Sequence, residues 1–307
     1  METLKKLCLI ALLSIVSYNT MAGCDMCSFY LGIHPNQNKN SISVRYRISE
    51  YNTTSAHQHS NMPHVHTTDN SKYVREFQTI EFWGQWSPFK KLLLIGYVPY
   101  SMNSVSKGNQ VIDAYNNIGD AQILGRYQIF RTDNDSSRYL HRLILGLGIK
   151  APTGVSNEMS NEGYLDPHIQ TGTGSWDYTF NLGYLLKFGR WGLNEEFLYK
   201  LNTKNHANYK FANRISSNTS VYYALEYNEL SILPSVSFNF EYADYDKDNS
   251  LDVTSSNGKA ILLIPGIDMY YKSFSFNTTF QKPIYEDLNE VGASNTFRGT
   301  LGIGYTF

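Results

Sequence analysis

From Trp176 to Phe188 the chain alternates: Trp176, Tyr178, Phe180, Leu182, Tyr184, Leu186 and Phe188 share one parity, while Asp177, Thr179, Asn181, Gly183 and Lys187 share the other. Successive side chains of a β-strand point to opposite faces, so a strand of this kind needs an apolar surround on one side and a polar one on the other. The same period returns in Ile42, Val44, Tyr46 and Ile48 against Ser41, Ser43, Arg45 and Arg47. It recurs in Phe274, Phe276 and Phe280 against Ser273, Ser275, Asn277, Thr279 and Gln281. Twelve runs read as strands, near 41–50, 72–86, 91–101, 119–131, 138–150, 174–188, 192–202, 212–226, 230–243, 258–271, 273–282 and 296–307. The second is ambiguous, because both of its faces carry aromatic and charged residues.

Length and spacing separate a soluble sandwich from a membrane barrel. Runs of ~10–14 residues exceed the ~5–6 usual in soluble sheets and match what a tilted spanning strand needs. Long connections (51–71, 102–118, 151–173, 203–211, 244–257, 283–295) alternate with short ones (87–90, 132–137, 189–191, 227–229 and a turn near Lys272). Extracellular loops and periplasmic turns of outer-membrane barrels differ in this way. After Gly23 no apolar run approaches the ~18 residues of a spanning helix. Aromatics are 14% of a chain that is mildly hydrophilic on average, as one lipid face and one wet face require. The reading is an all-β chain: a single closed antiparallel transmembrane β-barrel of 12 strands, with long outer loops and short periplasmic turns.

The two ends agree with export. Lys5 and Lys6 precede the apolar run Leu7–Val16, and Thr20-Met21-Ala22 offers small residues for a signal peptidase, so cleavage is expected after Ala22. Met21-Ala22-Gly23-Cys24 also loosely resembles a lipoprotein box, which leaves lipidation of Cys24 open. Residues 1–22 are thus a signal peptide, 23–40 a periplasmic or lumen-inserted segment, and 41–307 the barrel. Phe297, Leu301, Ile303, Tyr305 and Phe307 form one face of the last run. A final strand of that pattern is what the barrel-assembly machinery reads. Localisation in the bacterial outer membrane and contact with its lipid follow, and a net charge of −1 predicts no nucleic-acid partner.

Three stretches carry a family resemblance: Gly119-Asp120-Ala121-Gln122 leading to Arg126-Tyr127; Leu145-Gly146-Leu147-Gly148-Ile149-Lys150-Ala151-Pro152-Thr153-Gly154; and Gly172-Thr173-Gly174-Ser175-Trp176-Asp177 through Gly183-Tyr184. They resemble the outer-membrane transporter-like family named for the meta-pathway of phenol degradation. Cys24–Cys27 with Tyr30-Leu31-Gly32-Ile33 and Val44-Arg45-Tyr46-Arg47 looks like a branch of it found in the Bacteroidetes. The resemblance implies a barrel and passage of small molecules. The family's name reflects pathway context, and nothing in these residues demands an aromatic substrate. Physically the motifs read as architecture: Gly119 and Gly154 where strands meet outer loops, Pro152 at a strand end, Gly146 and Gly148 thinning the inner wall.

On the polar parity Arg45, Arg47, Asp120, Gln122, Arg126, Gln128, Lys150, Asp177, Lys187, Glu196, Lys200, Glu226, Glu241 and Arg298 are expected to face the lumen. Their signs are mixed, so they are read either as internal salt bridges or as the lining of a selective pore. His57, His59, His64 and His66 crowd one outer loop, where neutral imidazoles can bind Zn or Cu; a polar solvated loop is the alternative. No cofactor is required. Cys24 and Cys27 suit a disulfide, a metal clip or lipidation of the first. Asp244–Asn249 begins like a calcium loop, but Ser255 stands where the closing Glu belongs, so the EF-hand reading fails. The expected function is passage of a small solute through a polar lumen, not catalysis. A non-transporting structural or surface-binding barrel is the alternative, and an outer-membrane lipid hydrolase a further one. Neither His141 nor His206 stands in a Ser-Asn context that such a hydrolase needs.

Overall fold

A computed structural model describes residues 39–53, 72–132, 139–160, 163–164, 166–288 and 294–307. Twelve strands make the wall: β1 (Ser41–Thr53), β2 (Tyr73–Phe89), β3 (Leu92–Lys107), β4 (Gln122–Arg131), β5 (Tyr139–Lys150), β6 (Asp177–Phe188), β7 (Trp191–Leu201), β8 (Arg214–Tyr223), β9 (Leu230–Ala243), β10 (Gly258–Tyr271), β11 (Phe274–Leu288) and β12 (Ser294–Thr306). Each pairs antiparallel with its neighbours in sequence, and β12 returns to β1 with Val44 opposite Ile303. Closure leaves no unpaired edge, the condition that lipid imposes on a sheet.

The expected alternation appears as burial. Leu145, Leu147 and Ile149 are exposed on the outside of β5, whereas Arg142, Ile144 and Lys150 are buried inside. Aromatics gather around the short-turn end: Trp86, Phe89, Tyr139, Phe188, Trp191, Tyr271 and Phe274 are all exposed there, the position of a membrane-interface girdle. Short hairpins close that end, with Gly189, Asn228 and Lys272 in left-handed conformations at φ 56°, 50° and 53°. A carboxylate interrupts the outward parity at Glu195, where the hydroxyls of Ser217 (2.7 Å) and Thr219 donate to it from β8. Two donors offset part of the cost of placing that charge against lipid.

Three features depart from the sequence reading. Residues 102–118, expected as a loop, are ordered: β3 continues to Lys107 and Gln110–Ile118 returns along it as a second arm. The fourth wall strand therefore starts at Gln122, after a break at Gly119–Ala121. Likewise β11 runs to Leu288, past the expected end at 282. The lumen is also not uniformly polar. Trp83, Leu93, Ile95 and Leu124 form a buried cluster on one inner wall near the short-turn end, with Tyr97 packed on it. Leu185, Tyr222 and Leu233 form another, joined by Leu140 and Tyr270. Trp83 faces inward, which explains why aromatic residues stand on both faces of the second strand. A Cβ at Gly192 would collide with the Tyr222 ring, so this glycine gives the ring its place in the lumen.

Candidate permeation site in the lumen

Gln122, Lys150 and Asp177 lie side by side on β4, β5 and β6 at the level where these strands stop. The three sequence motifs consequently meet in space. Lys150 Nζ sits 2.8 Å from Asp120 Oδ2 and 2.6 Å from Asp177 Oδ2, and it donates to Thr173 Oγ1. Lys200 on β7 reaches to 3.9 Å from Asp177. Asp120 also accepts from the backbone N–H groups of Gly154 and Thr173, each at 2.9 Å, and from the Thr173 hydroxyl at 2.7 Å. Ser175 Oγ and the Thr203 N–H donate to Asp177, both at 3.0 Å. One buried carboxylate thus stitches the strand break to two loop segments, and the other ties the site to the β7–β8 connection.

Glycine lets those segments touch. A Cβ on Gly154 would stand 2.8 Å from the Gly119 carbonyl carbon, and one on Gly172 would stand 2.6 Å from the Gly154 oxygen. Three backbones therefore stack where no side chain fits.

The β5–β6 connection does not stay outside the barrel. Ile169 is fully buried beside Val105, against Tyr73 and Tyr115, and Asn103 Nδ2 donates to its carbonyl at 2.8 Å. Asp166 meets Arg75 of β2 at 3.3 Å. From the other side, His168 Nε2 lies 2.6 Å from Asp246 Oδ2, and its ring packs edge-on to Phe211 at 5.3 Å. Asp246 accepts from Tyr209 Oη (2.6 Å) and the Ala212 N–H (2.7 Å), and its own N–H donates to Ser256 Oγ at 2.8 Å. The residues 166–173 are pinned to β2 and β3 on one side and to the β7–β8 and β9–β10 connections on the other, so they cross the mouth. The stretch that began like a calcium loop supplies, in Asp246, the anchor for this crossing.

Burial alone would lower the pKa of His168. The Asp246 carboxylate, with help from Asp166, outweighs both burial and the nearby Arg214, so the value lies above the ordinary 6.5. Burial likewise pushes Asp246 up, yet His168 and the Tyr209 hydroxyl hold it below 3.8. The His168 contribution is fully present below 6.5 and is lost as pH rises through the raised folded value. The Asp246 contribution is fully present above 3.8 and is lost as pH falls through the lowered value. Deuterium exchange of residues 166–173 is accordingly expected to quicken, beyond the intrinsic base catalysis, as pH rises above 6.5 through the raised folded value. Equal corrected rates, or the same rise in His168→Gln, would remove the histidine from the pin.

Beneath the crossing lies a chamber of about 150 Å³. Arg47, Asp120, Gln122, Lys150 and Lys200 of the sequence expectation line it, together with Glu81, His168 and Arg214, which that reading did not select. Arg45 and Arg47 share Glu81, at 3.7 and 3.6 Å. Asp177 lies behind Lys150. Elsewhere in the interior Arg126 pairs with Glu196 at 2.6 Å, and Arg298 with Glu241 at 3.0 Å. Lys187 is half-buried at the short-turn end, between Leu140 and Gly192 on the flanking strands. Glu226 departs from expectation: it is exposed in a three-residue strand beyond β8, beside the tight turn to β9. His57, His59, His64, His66, Cys24 and Cys27 lie outside the described residues. Among the described residues no group of three or more His, Cys, Asp or Glu is placed to hold a metal.

The barrel is similar to the COG4313 outer membrane channel from Pseudomonas putida F1, at a TM-score of 0.62 and 12% identity over 90% of this chain and 100% of that one. The β-domain of the Bordetella autotransporter BrkA overlaps 88% of this chain and 100% of its own, at 11% identity and a TM-score of 0.49. Likeness at such identities carries the fold alone. No family model and no curated protein matches the chain in sequence. The channel likeness accords with a family of the kind the three motifs resemble, while the meta-pathway name and the Bacteroidetes branch rest on those motifs alone.

Proposed function

We propose that this chain is an outer-membrane channel that passes a small solute through its lumen. The carrying observation is the chamber under the crossing segment 166–173, lined by Arg47, Glu81, Asp120, Lys150, Lys200 and Arg214, with the apolar layer of Trp83, Leu124 and Tyr222 nearer the short turns. A barrel that served only as scaffold would have no need to hold many buried charges around a void, since burying ion pairs is seldom a net gain in stability. In this reading the long-loop end faces outward, the short turns face the periplasm, and the signal peptide is removed after Ala22. The solute meets the crossing segment first, rests in the chamber and then passes the apolar layer. Planar-bilayer recording of the refolded barrel tests this, with discrete conductance steps expected. A silent barrel at every voltage and salt would withdraw the channel. For the hydrolase alternative, His141 Nδ1 meets the Tyr184 hydroxyl at 2.7 Å and His168 meets Asp246, and among the described residues no serine hydroxyl bonds to either imidazole, as a serine nucleophile requires.

Two further parts of the proposal concern segments near the ends and loops. His57, His59, His64 and His66 bind Zn²⁺ or Cu²⁺ at the outer loop and so capture metal or alter conductance; four imidazoles in ten residues support this. Calorimetric titration with Zn²⁺ is expected to show saturable binding that the fourfold His→Ala variant loses; equal heats from both would end the idea. The closing strand presents Phe307, exposed beyond its last pair, to the assembly machinery. Removal of Phe307 is expected to lower the folded fraction in the outer membrane severalfold, seen as loss of the heat-modifiable gel band. An undiminished band would count against that role.

A further inference from the structure

We propose that the chamber holds a small neutral diol, with one hydroxyl on Thr171 and the other on Asn202. This deepens the channel reading by naming a class of solute, and it rests on that reading.

The charged groups of the lining are already engaged. Arg47, Glu81, Asp120, Lys150, Lys200 and His168 each stand in an ion pair of 2.6 to 3.9 Å. A charged solute would have to compete with those partners. Neutral groups are engaged as well: the Tyr97 hydroxyl donates to Gln122 Oε1 at 2.8 Å, and Gln122 Nε2 donates to Thr179 Oγ1 at 3.2 Å.

Two buried oxygens of lining residues differ. Thr171 Oγ1 and Asn202 Oδ1 have no hydrogen-bond partner among the described residues. Asn202 is 2% exposed, with its Nδ2 donating to the Ala212 carbonyl and its backbone N–H to Asn213 Oδ1. Thr171 is held by its neighbours, since Ile169 is fully buried and Gly172 stacks on Gly154. A buried oxygen left unbonded is costly, so each is a place for a ligand's polar group. Asn202 Oδ1 can only accept, whereas the Thr171 hydroxyl donates or accepts. A solute hydroxyl meets either demand and brings no charge.

The rest of the lining sets the body of the solute. Tyr97, Pro99, Pro167, Leu198 and Phe211 present carbon to the chamber. An ordered water wants ~2–4 polar partners, which such a surface does not offer, and a short hydrocarbon chain suits it better. A volume of about 150 Å³ takes a molecule of ~six heavy atoms, such as four carbons and two oxygens. The two oxygens stand on separate elements, one on the crossing segment and one just past β7, so they call for two hydroxyls on different carbons.

The experiment is saturation-transfer NMR on the folded full barrel in micelles, with the signal of empty micelles subtracted. Butane-2,3-diol, butan-2-ol and butyrate are the probes. The diol should bind saturably, butan-2-ol severalfold more weakly, and butyrate without a saturable signal. Thr171→Val keeps the shape and removes only a hydroxyl that has no partner, so it should fold as wild type, checked by gel mobility before and after heating. It should bind the diol severalfold more weakly, and its preference for the diol over butan-2-ol should shrink toward one. Lys272→Gln, at the exposed short-turn hairpin, should bind as wild type. Diol binding untouched by Thr171→Val, butyrate binding as tight as the diol, or no saturable binding would overturn the site, and conductance steps from the same preparation would leave the channel standing. Absence of steps would instead overturn the channel, and the site with it.

Discussion

Replacing Lys150 with methionine is expected to destabilise the barrel by about 3–5 kcal/mol, the range found when one partner of a buried ion pair is removed. The ammonium is the direct cation for two carboxylates at once, Asp120 at 8% exposure and Asp177 at 0%. Methionine fills much the same volume, so the loss is electrostatic and not a cavity effect. Urea unfolding in micelles, followed by tryptophan fluorescence, measures it. Asp177→Asn on the Lys150→Met background should recover part of the loss, because an uncharged amide no longer needs the cation. A loss below ~1 kcal/mol would mean that lumen water solvates these groups as it does at a surface. The chamber would then behave as bulk solvent, and a short contact in it would carry little selectivity. The site's stability and its chemistry are tested by the same residue.

Most of the wall was readable because lipid and lumen impose a strict period on each strand that crosses between them. β6 shows this from Tyr178 to Leu182, with outward residues exposed and inward ones buried. The period fails where that contrast ends. Residues 102–118 rise above the level where β4, β5 and β6 stop, their inner face packs on the crossing segment, and Ser, Asn and Lys replace the apolar parity; the segment reads as a loop although Met102–Lys107 pair with β2 and with the returning arm. It fails again in β2, where the inward Trp83 answers to a lumen cluster and not to water.

The site was partly readable for a related reason. Lys150 and Asp177 sit at strand ends within glycine-rich motifs, so their parity and their neighbourhood both point inward. Nothing local marks His168 or Asp246, which are 78 positions apart and meet only because two connections fold over the mouth. Asp246 even carries a misleading local signature, that of a calcium loop. Arg75 and Asp166 are likewise joined only by the crossing segment. Sequence periodicity reports the surroundings of a strand, whereas these contacts depend on where loops go.

Gly172→Val is expected to raise single-channel conductance severalfold. The residue stacks on Gly154, with a Cβ placed 2.6 Å from its carbonyl oxygen, and Gly154 in turn stacks on Gly119. All the close atoms are backbone, so no side chain can turn aside to make room. The added carbons must lift the segment away from the strand break. Thr173, the next residue, would lose its backbone and hydroxyl bonds to Asp120. The segment would stay tethered at Ile169 and His168 but no longer lie flat across the mouth, and ions would pass beside it. Gly84→Val on β2, where nothing lies within 4 Å of the added Cβ, should conduct as wild type. The comparison also locates the barrier. Ion flow through two constrictions in series is limited by the narrower, so opening the wider one changes little. An unchanged conductance in Gly172→Val together with a rise in Trp83→Ala would place the limit at the apolar layer. The crossing segment would then be a brace that holds Lys150, Asp120 and Asp177 together, and solutes would be selected below the chamber instead of above it.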